Sequence, residues 1–550
     1  MGNQTFSKKK ETLPIDTTFN LPTNIPVWPQ GDGFASGVID LGGLIVSQIS
    51  TFNKVWRTLE GGPDNAGATF FEPKGVPEGF FMLGCYSQPN NKPLFGRILV
   101  AKDENSAENG AVKKPLDYTL IWTSKSQNIK QDNDGYVWLP TPPNGYKAIG
   151  HIVTTTQEKP SLDKIMCVRS DFTDQCETNS WIWGQGKNID DKGFNVFDVR
   201  PNNRGIQAHG VLVGTFFAQD GSTTTSPIPI ACLKNTNLNF SSMPNINQIN
   251  ALVKAYSPSM YLHPNEKYQS SSINWYFTNG ALLYKKGEES NPMAIDPKGS
   301  NLPQGGNNDG AYWLDLPIDK AHKEMVKKGD FKNTQVYVHV KPMFGGTFTD
   351  LVMWVFYPFN GPAIAKFGLI DIPLGKIGEH IGDWEHVTLR ISNFDGGLNK
   401  VYFSQHSNGQ WVNASDLEFQ SGKNINNKPV TYSSLNGHAM YPKAGLVLQG
   451  VSEIGIRNDA AKSNMVVDFG LGFEIISGDY LGSQIIEPPW LNYLRQWGPN
   501  ISYDLGEELN KLKKVFPALQ KIENSLPNEL LGEEGPTGPK LKRNWSGDEI

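Results

Sequence analysis

No stretch of this chain is apolar for about 18 consecutive positions, so no membrane-spanning helix is expected. It has no basic surplus either. The formal net charge of −5 excludes a general nucleic-acid binder, which needs a basic face. Met1 to Asp40 lacks a long apolar core, so no secretory signal is expected. Cysteine is scarce: Cys85, Cys167, Cys176 and Cys232 are the four, and none shows metal-ligand spacing. They read as reduced thiols of a cytoplasmic protein, with a Cys167–Cys176 disulfide as the alternative. Long amphipathic helices are few, whereas 56 Gly and 37 Pro punctuate the chain. With 38% hydrophobic and 11% aromatic residues to fill cores, 550 residues make a mainly β protein of two or three domains, with a few short helices.

What is present first is a repeat of roughly 60–68 residues. Unit one reads Val55-Trp56, then Phe70-Phe71-Glu72-Pro73, then Pro77-Glu78-Gly79-Phe80. Unit two reads Ile121-Trp122, Val137-Trp138-Leu139-Pro140, Pro143-Asn144-Gly145-Tyr146. Unit three reads Ile182-Trp183, Asp198-Val199-Arg200-Pro201, then Gly205-Ile206. The Trp-to-Pro spacings are 17, 18 and 18. Three such units predict a pseudo-threefold β-prism-like domain over 36–220, with each Trp a core residue at the base of its unit. A flexible tail over 1–35 precedes it. A Ser-, Thr-, Asn- and Pro-rich linker over 221–244 follows. A β-sandwich domain is expected over 245–500, opened by a short helix near Asn245–Tyr256. A C-terminal helix and tail occupy 501–550. Met1-Gly2-Asn3 and Ser7-Lys8-Lys9-Lys10 read as a myristoylation start with a basic patch, though Phe6 stands where a hydroxyl is expected. A solvated tail is the alternative.

The densest chemistry lies at Gly378-Glu379-His380-Ile381-Gly382-Asp383-Trp384-Glu385-His386. Val387-Thr388-Leu389-Arg390-Ile391 follows and alternates like a half-buried strand. On a strand Asp383 and Glu385 share a face, and adjacent carboxylates repel unless a cation, a proton or a basic partner lies between them. A turn at Asp395-Gly396-Gly397 would return the next strand so that His406 stands opposite His386; His438 follows another short strand nearby. His380, Asp383, Glu385 and His406 thus form a candidate divalent-cation site. One or two imidazoles with two carboxylates suit magnesium or calcium, with manganese as an alternative. The competing reading pairs Asp383 and Glu385 with Arg390 or lysines and lets His380 cap a turn.

Two resemblances add to this. The repeat is similar to the β-prism modules of membrane-associated trafficking proteins, including the adaptor-binding repeats of vacuolar protein sorting-associated protein 13. Over nearly its whole length the chain resembles plant members of the vacuolar protein sorting-associated protein 62 family. The strings that carry this are Tyr261-Leu262-His263-Pro264-Asn265-Glu266-Lys267-Tyr268, Asn308 to Trp313, Gly378 to His386, Glu487-Pro488-Pro489-Trp490 and Gly532 to Pro539. The second domain also resembles the necrosis- and ethylene-inducing-peptide-like toxins through His380, Asp383, Trp384 and Glu385, through Val355 to Asn360, and through Ser404-Gln405-His406. That resemblance implies a cation on a β-sandwich facing membrane sphingolipid head groups. It adds Asn360 to the candidate site, in place of a ligating Asp of the toxins; Gly382 replaces one of their histidines. The expected protein is cytoplasmic and non-catalytic, peripheral on membranes or associated with trafficking, binding a lipid or glycosylated head group with a divalent cation. The alternatives are a metal-dependent hydrolase using Asp383 or Glu385 as base, and a sugar-binding defence protein using the prism.

Overall fold

The computed structural model describes residues 12–104, 110–190, 193–221, 228–237, 239–406, 408–421, 427–451, 454–501, 505–515 and 535–549. Gly2 and its lysines lie outside these residues, as do Phe516, Pro517 and Leu519 of the expected C-terminal helix. Among the described residues no helix is long and apolar enough to cross a membrane.

Each repeat unit builds one three-stranded antiparallel sheet: Phe52–Arg57, Ala68–Pro73 and Tyr86–Pro89; Asp117–Thr123, Tyr136–Thr141 and Ile152–Thr154; Cys176–Gly184, Asn195–Pro201 and Phe216–Gln219. The recurrent Trp sits on the first strand of each sheet, and the recurrent Pro ends or nearly ends the second. The three tryptophans meet inside. Trp56, Trp122 and Trp183 have ring centroids 5.7–5.9 Å apart. Their burial at one point explains why the residue recurs: three large rings fill the space where three sheets converge. The indole N–H groups of Trp56 and Trp183 are satisfied by the carbonyls of Asn133 and Glu60, each at 2.9 Å.

The prism extends past its expected end. Cys232–Lys234, inside the stretch read as a linker, pairs with Thr173–Asp174 and Gly210–Val211 and closes the third unit. All four cysteines are free and buried. The neighbour of Cys176 is Cys232, not Cys167, and both lie in one apolar cluster. Residues 12–35 are a correction as well. They were expected within a flexible tail, yet Trp28 donates to the Asp395 carbonyl at 3.0 Å and Gly33 N donates to the Ser241 carbonyl at 2.9 Å.

The second domain opens with the helix Ile246–Tyr256. Asn245 and Gln248 cap it reciprocally, side chain to backbone, at 3.0 and 2.8 Å. Its Ile249, Leu252, Val253 and Tyr256 are fully buried. A six-stranded sheet runs in the order Asn408–Asn413, Leu398–Gln405, His380–Ser392, Phe348–Asn360, Val336–Met343, Phe473–Ser477. A four-stranded sheet runs Met440–Tyr441, Val430–Ser433, Ser259–Leu262, Val466–Asp468. Val336, Val338 and Val340 join Val355, Tyr357, Val387 and Leu389 in the core that includes Met260 and Met440 of the smaller sheet. The other face of the six-stranded sheet is also covered, by the helix Ile273–Thr278 and the Trp490–Trp497 segment. Cover on both faces explains why every residue of Phe348–Asn360 is buried.

Candidate functional site

The strand His380–Ser392 lies between Phe348–Asn360 and Leu398–Gln405. Asp383 pairs with Tyr357 and Glu385 with Val355, so both carboxylates share the face of the inner core, as strand alternation requires. The hairpin register differs from the expected one by two residues. Val387 pairs with Phe403, and the His386 amide donates to Ser404 Oγ at 3.0 Å; His406 is not opposite His386. The cause is a turn centred near Phe394 and Asp395 rather than Gly396, closed by the Ser392 amide donating to the Gly397 carbonyl at 3.0 Å; the shift between Arg390 and Ile391 then recovers one residue. His406 instead lies past the strand end with φ +59.

Asn360, His380, Asp383, Glu385 and His406 nevertheless line one cavity of about 480 Å³. Asn360 is paired with His380 across the ladder, and its amide nitrogen donates to the Gly378 and Gly361 carbonyls at 2.7 and 3.1 Å. His406 Nε2 contacts Asn458 Oδ1 at 3.0 Å. Gly382, with φ +70, passes so close to the Trp497 carbonyl that an added Cβ would lie 2.4 Å from it. No larger residue fits at this position without moving that backbone. Trp384 turns to the opposite side, stacked 5.5 Å from Trp490.

The two carboxylates are held differently. Burial works to raise Asp383, but His438 outweighs it, with Nδ1 2.9 Å from Oδ2, and the net shift is downward. Tyr357 stacks on the His438 ring at 3.8 Å, and the Tyr268 carbonyl accepts from its other nitrogen at 2.9 Å. Glu385 accepts a hydrogen bond from Ser404. Burial, and then the Asp383 charge, push its carboxyl well above the ordinary range. His380 is pushed down, chiefly by burial. Arg390 does not answer Asp383 or Glu385. It forks onto Asp350 at 2.7 and 2.8 Å and reaches Asp548 at 2.6 Å.

The two carboxylates suit a hard divalent cation, while His380 Nδ1, buried without a partner, suits manganese better than magnesium or calcium. The arrangement is less favourable. Among the described residues no three His, Cys, Asp or Glu side chains are disposed to hold a metal ion. A cation here would have to displace His438 from Asp383 and Ser404 from Glu385.

One wall of the cavity is remote in sequence. Residues 535–549 cross the outer face of the six-stranded sheet. Trp545 stacks on His339 at 3.8 Å. Lys341 donates to the Asn544 and Gly547 carbonyls at 2.6 and 2.9 Å. Glu549 takes Thr388 at 2.5 Å and lies 3.1 Å from His386 Nε2. Asp548 joins Arg390 to Arg204 of the prism, the latter at 3.2 Å. This strap places Lys542, Arg543 and Asn544 in the cavity wall. The sequence offers Trp545 as a residue that docks back onto this domain but does not place Asp548 and Glu549 here, although His386, Thr388 and Arg390 alternate on one strand face and require buried partners. It also missed Ser404, and Glu266 and Tyr268, which support Asn436 and His438.

Known proteins bear on this arrangement unequally. The family described as vacuolar protein sorting-associated protein 62 matches residues 15–549. A Saccharomyces cerevisiae protein, provisionally named vacuolar protein sorting-associated protein TDA6, is 31% identical over 115 residues, which are 18% of this chain and 23% of the yeast protein. The match thus spans about a quarter of that relative. Among solved structures, GNIP1Aa from Chromobacterium piscinae is 19% identical over 39% of this chain and 40% of its own, with a TM-score of 0.29. Necrosis and Ethylene inducing Protein 2, from the causal agent of cocoa's witches' broom disease, is 16% identical over 35% of this chain and 67% of its own, with a TM-score of 0.19. Superpositions this loose carry no argument about the site.

Proposed function

The chain belongs to the vacuolar protein sorting-associated protein 62 family, and from that premise we propose that it is a non-catalytic trafficking protein that engages membranes peripherally, through a lipid or glycosylated head group held in the Asp383–Glu385 cavity. The observation that carries this reading is the convergence of Asn360, His380, Asp383, Glu385 and His406 on one cavity of about 480 Å³. That volume suits a sugar- or polyol-sized group. A divalent cation is the second element, magnesium or calcium with manganese as the alternative, and the unpartnered His380 Nδ1 favours it. His380, Asp383 and Glu385 would hold it, and it would relieve the repulsion between the two carboxylates.

Co-sedimentation of the full chain with phosphatidylcholine vesicles, with and without glycosylated sphingolipid, tests both elements. The expected result is glycolipid-dependent sedimentation that EDTA abolishes and calcium or magnesium restores. Sedimentation indifferent to EDTA removes the cation and leaves the head group. No sedimentation with any vesicle sinks the reading.

A further inference from the structure

We propose that the strap side of this cavity is an anion site, formed by Lys542, Arg543, the Asn458 amide and the Trp354 indole N–H, and that it takes a phosphate-bearing group. The inference rests on the head-group reading and names the chemistry of the group.

The four carboxylates of the cavity wall are already engaged. Asp459 is forked by Arg457 at 2.8 and 2.6 Å. Asp383 is taken by His438 at 2.9 Å. Glu549 is taken by Thr388 at 2.5 Å and faces His386 at 3.1 Å. Glu385 accepts from Ser404.

Four donors of the wall have no hydrogen-bonded partner among the described residues. Asn458 is 2% exposed, and its Oδ1 contacts His406, while its Nδ2 is buried with no partner. Trp354 is 1% exposed, and its Nε1 is likewise without a partner. Among the described residues the side chains of Lys542 and Arg543 form no hydrogen bond and no ion pair. All four line the cavity. Buried donors without acceptors are rare in folded proteins and call for an explanation at each occurrence. The Lys542 charge reaches Asp383 and Glu385 but bonds to neither, and Arg543 is exposed. Two such buried donors in one cavity with two cations that have no hydrogen-bonded partner match a ligand that only accepts and carries negative charge. A phosphate offers several oxygens at once, and Arg beside Lys is a pairing that recognises it. The cations are also held in place. Lys542 and Arg543 follow the turn Pro539–Leu541 and precede Trp545, which is stacked on His339. The strap therefore presents the cations to the cavity on an anchored backbone.

The test is calorimetric titration of the full chain with inorganic phosphate, and with mannose as the neutral probe, in chloride buffer. Phosphate is expected to bind and mannose to bind more weakly. The double substitution Lys542→Gln/Arg543→Gln, at side chains that anchor nothing, is expected to weaken phosphate by about tenfold or more, the scale of lost charge-assisted bonds. Trp354→Phe keeps the ring, removes one donor and is expected to weaken it by a smaller factor. Phosphate that does not bind, or that binds the double variant equally, overturns the proposal. Vesicles containing phosphatidic acid identify the source. Sedimentation that the double substitution abolishes supports a lipid phosphate. Soluble phosphate binding without any vesicle binding supports the anion site while the membrane reading fails. Sedimentation with neutral glycolipid vesicles, unaffected by the two substitutions, keeps the head-group reading and overturns the anion site.

Discussion

At the axis of the prism, Trp56 and Trp183 are buried with their indole N–H groups bonded to backbone carbonyls. At the cavity end of the sandwich, Trp354, Trp384 and Trp497 are buried as deeply, yet their N–H groups have no partner. The two regions use the same residue for different ends. In the prism, three symmetry-related rings close a core, and a neighbouring unit brings a carbonyl to each of these two donors. In the sandwich, some polar atoms beside the cavity have no partner among the described residues, and others are met by the strap of residues 535–549. Burial alone therefore does not tell how a buried tryptophan's N–H is met; that depends on which backbone comes near it.

The largest test of the contrast is a pair of substitutions. Trp56→Ala should cost about 3–5 kcal/mol in denaturant unfolding, because a ring packed against two others leaves a cavity that three sheets cannot close. Trp354→Phe, which removes an unanswered N–H and keeps most of the ring, should stay within about 1 kcal/mol. Equal costs at the two positions would break the comparison.

A smaller effect concerns the strap. Burial works to raise the Glu549 carboxyl, but the charge and hydrogen bond of His386, with Lys341 and Thr388, bring it down from 4.5 to about 2. A depressed carboxylate stabilises the fold above its unfolded value, so this contribution is complete above pH 4.5 and is lost as pH falls through about 2. Its size is about 3 kcal/mol. Glu549→Gln should lower stability by up to that amount at neutral pH and flatten the acid limb of melting temperature against pH. A variant with an unchanged acid limb would show that the strap is not held by this charge.

The smallest effect is at Asn360. Asn360→Asp would place a carboxylate where the toxin resemblance has one, but it would set one of its oxygens against both the Gly378 and Gly361 carbonyls that the amide nitrogen now serves. A cost of about 1–3 kcal/mol at neutral pH, shrinking once the Asp is protonated, is expected from thermal unfolding at two pH values. No cost would mean that the amide bonds do not select Asn here.

Local pattern carried much of this protein into view. The recurrence of Trp and Pro at 17 or 18 residues marks three sheets that the structure contains. Alternation at Val336, Val338 and Val340 marks a core face, and Asn245 with Gln248 marks a helix start. The crowd from Gly378 to His386 marks a cavity wall. What the pattern missed was each partner set by tertiary contact. A turn centred near Phe394 and Asp395 put Ser404, not His406, against His386. His438 reached Asp383, while Arg390 went to Asp350 and Asp548.

The sequence by itself determined that the chain is mainly β, that its first part repeats three times, and that its chemistry gathers around Asp383 and Glu385. Those are consequences of strand periodicity and turn chemistry, which act over a few residues. The tertiary structure alone decided which charges are answered and by whom. Pairing a buried charge depends on groups brought from anywhere in the chain. Here Glu549 meets His386 across more than 150 positions, and Asp383 meets His438 across more than 50.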